Sequence, residues 1–176
     1  ILREAGHEIV GALVGKANDR QIPCFFEEQI HCPVFQFLAP NISYSNHGKG
    51  MQVGKTLLSL ITNSKKYLKA LHSVHDQIQC HNPDLIISFY ETYSGLYNVV
   101  FRSRIPMICI AHQYLLLHPK FVFPKNRIIS KILMSLNSQA ASWQATKRLA
   151  LSFRRMEPTT TPTIAVVPPL LRKEVI

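Results

Sequence analysis

The chain has 176 residues, with 20 Lys and Arg against 10 Asp and Glu for a formal charge of +10. The length suits one domain with a sizeable core, the charge favours acidic partners such as nucleic acid, anionic lipid or phosphorylated substrates, and no apolar run approaches the roughly 18 residues of a membrane-spanning helix. No recognition-helix pattern, zinc-ligand set or RNP-like aromatic strand accompanies the charge, which argues against nucleic acid. No signal peptide is visible. Cys24, Cys32, Cys80 and Cys109 are scattered without a C-x-x-C, as suits reduced thiols in the cytoplasm.

In chain order, "ILREAGHEIV" reads as the end of a helix capped by Gly6, so an earlier strand and loop are expected before it. "EIVGALVG" (8–15) is the first strand, Cys24 to Ile30 a helix, and "PVFQFL" (33–38) the second strand. The polar stretch "APNISYSNHGKG" follows, with Asn41, Ser43, Asn46 and His47. It runs into "GKGMQVGKT" (48–56), which imitates a phosphate-binding loop. The required G-x-x-x-x-G-K-[ST] spacing fails, because Lys49 stands where the first glycine belongs and no strand leads directly in. This stretch is expected to be a flexible loop and a helix start.

A long helix covers Lys55 to Cys80, breaking near Asn63, with Leu57, Leu60, Ile61, Leu68, Leu71, Val74 and Ile78 on one face. Then come "DLIISFY" (84–90), a helix at Ser94–Arg102, "PMICIAH" (106–112), a helix at Lys125–Thr146, "RLALSF" (148–153) and "TIAVVP" (163–168). Short, continuously apolar strands alternating with helices specify an α/β fold, a Rossmann-like parallel sheet with helices on both faces over residues 1–168. The strands beginning near Ile9, Asp84 and Pro106 are expected side by side. Residues 169–176, opening on Pro169 and turning basic, read as the start of a linker.

In such sheets the ligand crevice lies outside the carboxyl ends of the strands. That edge collects Tyr90, Glu91, Thr92, Tyr93 and Ser94 after one strand, His112, Gln113, Tyr114 and His118 after another, and Asn41 after a third.

The succession "AGHEIVGALVG", "PDLIISFYETYSGLYN", "IPMICIAHQYLLLHP", "LALSF" and "VVPPLLRKEV" resembles the N-terminal domain of glycosyltransferases with the GT-B architecture. More narrowly, it is similar to bacterial proteins akin to the lipid II-forming N-acetylglucosaminyltransferase. The resemblance spans nearly the whole chain, except that the G-x-G-x-x-H-type loop after the family's first strand has no counterpart here. It implies an acceptor-binding half-enzyme, with the nucleotide-sugar donor held mainly by a C-terminal domain, chemistry in the cleft between the two and no metal or other cofactor. A fragment of this kind is expected to be inactive alone.

Glycosyl transfer needs a base for the acceptor hydroxyl and positive or dipolar groups for the departing phosphates. His112 matches the "H-Q" of the family pattern and is the candidate base, set against a purely structural loop histidine. Glu91 either orients the acceptor or caps the following helix. Tyr90, Gln113, Thr92 and Asn41 are candidate acceptor-binding residues. His118 is expected to fix a turn before Pro119, and Trp143 to lie in a helix at the core or an interface. The bulky and basic mixture in "YLLLHPKFVFPKNRIISKILMSL" suits either peripheral contact with an anionic membrane at the inner face of the cell or a core helix with a solvated basic face. The competing functions are a sugar-nucleotide epimerase of related fold and a non-enzymatic Rossmann-like binding module.

Overall fold

The computed structural model describes residues 2–16, 21–39, 61–124, 128–157, 159 and 164–169. Asn41, the stretch 48–56 and residues 170–176 of the expected linker lie outside the described residues. The chain divides into two compact units, Ile1–Pro83 and Asp84–Ile176. Each is α/β, with parallel strands flanked by helices.

In the first unit, residues 2–6 form a turn in which Gly6 N–H bonds Arg3 C=O at 3.0 Å and His7 N–H bonds Leu2 C=O at 3.1 Å. Gly6 stands at φ 83°, the left-handed conformation expected of it, but the described residues before it form a turn rather than the helix end read from the sequence. The strand β1 (Ala12–Lys16) pairs in parallel with β2 (Val34–Leu38), from Ala12 opposite Val34 to Lys16 opposite Leu38. Between them lies α1 (Cys24–Ile30), none of whose residues is buried. Arg3 Nη2 reaches across to the carbonyls of Ile30 and His31, at 2.6 and 2.8 Å, and satisfies the carboxyl end of that helix. Helix α2 (Ser64–His81) starts after Asn63, where the break was expected, and buries Ala70, Leu71, Val74 and Ile78 at helical spacing. His81 in its last turn meets Phe35 of β2 edge to face, the ring centres 5.1 Å apart.

The second unit contains β3 (Ile86–Ser88), α3 (Thr92–Phe101), β4 (Met107–Ala111), a 3-10 helix at His112–Leu117, α4 (Ile128–Ala141), β5 (Lys147–Leu151) and β6 (Ile164–Val167). Its strands lie in the order β3-β4-β5-β6, all parallel. Each new strand is added on the same side, so right-handed crossovers carry α3 and α4 over one face. Along that face one row runs Ser88, Cys109, Arg148, Ile164. Met107, Cys109, Ala111, Tyr114, Ala150 and Ile164 form its buried core. Of the three strands expected side by side, β3 and β4 share a ladder, whereas β1 has its ladder with β2 in the first unit.

The helices sit close because small residues let them. A Cβ on Gly95 of α3 would collide with the Ala140 carbonyl of α4. The carboxyl end of α4 is closed by Arg148, whose Nε donates to Ser142 Oγ at 2.7 Å and whose Nη2 donates to Ser142 C=O at 2.9 Å. Helices α1, α2 and α3 each end in a left-handed residue that is not glycine: His31 (φ 50°), Asn82 (φ 39°) and Arg102 (φ 48°). Gln144 (φ 56°) has the same conformation just beyond α4.

Candidate functional site

The carboxyl edge of the four-stranded sheet begins where β3 gives out. The sequence predicts a strand through Tyr90, but the ladder ends at Ser88 and the chain bends at Phe89 and Tyr90. Tyr90 holds φ 61°, a conformation that costs a bulky residue on the order of 1–2 kcal/mol and persists only when its surroundings enforce it. They do so through the side chain. Its hydroxyl lies 2.9 Å from Ser138 Oγ and accepts from Asn137 Nδ2 at 3.0 Å, both on α4, while its ring packs edge to face on Tyr114 at 5.5 Å. A pair of serines completes the bend. Ser94 Oγ donates to the buried Ser88 Oγ at 2.7 Å, and Glu91 N–H reaches the same oxygen at 3.4 Å.

Glu91 is the N-cap of α3, its carboxylate accepting from Tyr93 N–H at 3.3 Å. The capping half of the expectation for this residue is thus realised in the geometry. Burial pushes its carboxyl up from the ordinary 4.5, while the N–H groups of Tyr93 and Thr92 pull it down. Thr92 is the first residue of the same helix.

His112 is the first residue past β4, opens the 3-10 helix and is exposed. Gln113 beside it is half-buried. Two residues on, Tyr114 is wholly buried and anchors the short helix in the core. Its hydroxyl has no hydrogen-bond partner among the described residues, and burial, with the Cys109 thiol beside it, pushes its ionisation well above the usual phenol range. Cys109 is likewise raised by burial, which makes it a poor nucleophile. All four cysteines are free thiols.

His118 is buried and structural. Its Nδ1 accepts from Lys120 N–H at 3.2 Å, which leaves Nε2 to donate to the Glu157 carbonyl at 3.0 Å. That pairing fixes the turn before Pro119. No group of three His, Cys, Asp or Glu able to hold a metal occurs among the described residues. Trp143 lies in the turn after α4 rather than inside a helix, and is 52% exposed.

Two residues at this edge were hidden in the sequence. Phe89 is 71% exposed and Phe153 87% exposed, one just past β3 and the other just past β5. Each follows a serine: Ser88 Oγ receives Glu91 N–H, and Ser152 Oγ receives Arg154 N–H at 3.0 Å. The recurring Ser-Phe at the ends of "LIISFYE" and "LALSFRR" is the signal that could have found them. His112 stands just past the end of β4, the strand between them, and Arg154 and Arg155 are exposed beyond Phe153.

The described carboxyl edge of the sheet therefore carries Glu91, Thr92, His112, Gln113 and two exposed aromatic rings. Among the described residues no helix is long and apolar enough to cross a membrane. Neither the curated proteins nor the solved structures searched yield a match. Residues 6–176, however, match the model of the family described as glycosyl transferase family 1, so the chain belongs to that family of sugar-transferring enzymes.

Proposed function

We propose that the chain is the acceptor-binding part of a glycosyltransferase that moves a hexose from a nucleotide sugar to an acceptor hydroxyl, with His112 as the base. The observation that carries this reading is the position of His112. It is exposed at the first residue beyond β4, on the edge where ligands of such sheets bind, and the buried Tyr114 two residues later supports it. An imidazole there is the base that takes the acceptor proton on this reading. Glu91, already engaged as a helix cap, orients the acceptor through its carboxylate, and its raised proton affinity brings it nearer the working range of an acid-base group. Thr92 and Gln113 complete the acceptor site on this reading, with Phe89 and Phe153 as apolar surfaces for a sugar ring, while Tyr90, held by Ser138, Asn137 and Tyr114, shapes the bend beside it. The nucleotide sugar is held mainly by a second domain, no cofactor takes part, and residues 1–176 alone do not turn over.

The test uses the full-length protein in the cytoplasmic setting proposed for it. UDP-, GDP- and dTDP-sugars are screened for protection against thermal unfolding, and transfer is measured with the donor that protects. His112→Ala is expected to lower transfer about a hundredfold or more with an unchanged melting temperature. Protection by none of the three donors favours the non-enzymatic binding module, a reading that the capping role of Glu91 also serves.

A further inference from the structure

The backbone of Tyr90 is held against its own preference. A φ of 61° is disfavoured for a bulky side chain, and the apolar, aromatic run "LIISFY" suits a strand continuing straight through this point. On one side Ser88 still lies in the β3 ladder. On the other, Glu91 has the ordinary extended backbone of an N-cap, at φ −96° and ψ 123°. The turn out of the sheet therefore depends on what fixes Tyr90.

Its side chain supplies the answer. The hydroxyl accepts from Asn137 Nδ2 at 3.0 Å and is free to give its own proton to Ser138 Oγ at 2.9 Å, so its partners are on the protein rather than in the crevice. Both partners belong to α4, which is itself pinned: the buried Ser142 Oγ donates to Ser138 C=O at 2.8 Å, Arg148 Nε donates to that same Oγ at 2.7 Å, and Gly95 of α3 meets the Ala140 carbonyl. The Tyr90 ring packs edge to face on Tyr114, the buried anchor of the short helix that opens at His112. One residue thus adjoins every part of the edge. Glu91 follows it in the chain, the His112 helix leans on its ring, and α4 holds its hydroxyl.

We propose that Tyr90 is a positioning residue of the transfer site, a latch whose hydroxyl ties the bend after β3 to Asn137 and Ser138 of α4 and so sets Glu91 against His112. The inference rests on the roles proposed above for Glu91 and His112, and it adds a residue that acts through them without touching substrate. Once the hydroxyl is released, the chain relaxes towards the extended backbone and Glu91 moves with it. A misplacement of about 1 Å at a reacting group is enough to cost on the order of a hundredfold in rate.

The experiment compares the full-length protein with its Tyr90→Phe variant, which keeps the ring and loses both hydrogen bonds. Two readouts are taken. The first is amide hydrogen exchange at Tyr93 and Ser94, whose N–H groups bond the Glu91 carboxylate and carbonyl at 3.3 and 3.1 Å. Exchange there is expected to quicken about tenfold or more, ahead of the rest of the second unit. The second is transfer measured with the donor that protects against unfolding. Here kcat is expected to fall about tenfold or more with the acceptor KM within about twofold, a split that a merely structural role does not produce at temperatures where the variant is folded. The double substitution Asn137→Ala with Ser138→Ala should reproduce both changes, and adding Tyr90→Phe to it should change neither further, because the three groups form one contact. Unchanged exchange in Tyr90→Phe overturns the latch whatever the activity, and quickened exchange with an unchanged kcat overturns the positioning role. If His112→Ala and Glu91→Ala both retain full transfer, the reading of the site fails instead, and a proposal that acts through those two residues falls with it, even where exchange shows that Tyr90 holds the bend.

Discussion

The two units of this chain divide its charge and its packing unequally. Residues 1–83 carry eight Lys and Arg against six Asp and Glu, whereas residues 84–176 carry twelve against four. In the first unit α1 buries nothing and the β1-β2 pair contributes only Phe37 to the buried residues. The second unit buries whole rows of side chains and brings two helices to backbone contact. The difference teaches where precision is kept. The unit carrying His112 is the one whose helices come into backbone contact over a continuous buried row. The same unit holds nearly all the excess positive charge, +8 of the +10 of the whole chain.

The sharpest way to break this comparison is to place the same methyl group in each unit. Gly95→Ala drives its Cβ into the Ala140 carbonyl and should cost on the order of 3 kcal/mol or more, whereas Gly11→Ala meets Phe35 Cε2 at an ordinary 3.4 Å and should cost little. Denaturant unfolding of the two variants decides it, and similar losses would show the first unit to be packed as tightly as the second. Next in size is Met107→Ala, which removes a side chain only 1% exposed and should cost about 2–5 kcal/mol in the same measurement. His118→Ala is expected to cost about 1–3 kcal/mol by stranding Lys120 N–H and the Glu157 carbonyl, with transfer activity retained at temperatures where the variant is folded.

The smallest effect concerns Glu91. Because burial raises its carboxyl, the folded chain keeps that proton at pH values where the unfolded chain, at about 4.5, has already released it. The stabilising contribution is therefore complete below 4.5 and is lost as pH climbs through the raised value. A difference curve of melting temperature against pH should show Glu91→Gln gaining on the parent chain as pH rises from 4.5 towards neutrality. A flat difference curve would mean that the cap hydrogen bonds cancel the burial.

Much of the architecture was legible because local rules agreed with one another. The helix read at Cys24 to Ile30 is α1 at its observed limits, and the break read near Asn63 within a helix from Lys55 to Cys80 is where α2 begins. The helix placed at 125–146 has its described part at Ile128–Ala141, because the turn at Ser142 to Gln144 leaves no signal stronger than a serine and a glutamine. Strand ends were harder for a physical reason. In "DLIISFY" nothing apolar or β-branched distinguishes a residue in the ladder from one thrown out by a bend, and the bend depends on Tyr90 reaching α4, a contact 47 and 48 residues away. Phe89 and Phe153 were accordingly read as buried strand residues, although both are exposed at the crevice edge. His112 and Glu91 were legible as strand-end residues by position alone. The capping bond of Glu91 was one of two readings open to the sequence, and only geometry could choose it.

The helix stops noted above are written mostly in strain. His31, Arg102 and Gln144 hold left-handed backbones at φ 50°, 48° and 56° with no glycine to relieve them. Such a residue gives up about 1 kcal/mol that glycine would return, less what glycine's freer unfolded chain takes back. The chain thus carries an unspent reserve for engineering: glycine at 31, 102 and 144 should each add a few tenths of a kcal/mol and together toughen a scaffold whose crevice residues are left untouched. A designer wishing to remodel the carboxyl edge of the sheet could draw on that margin first, before asking the edge to tolerate destabilising substitutions.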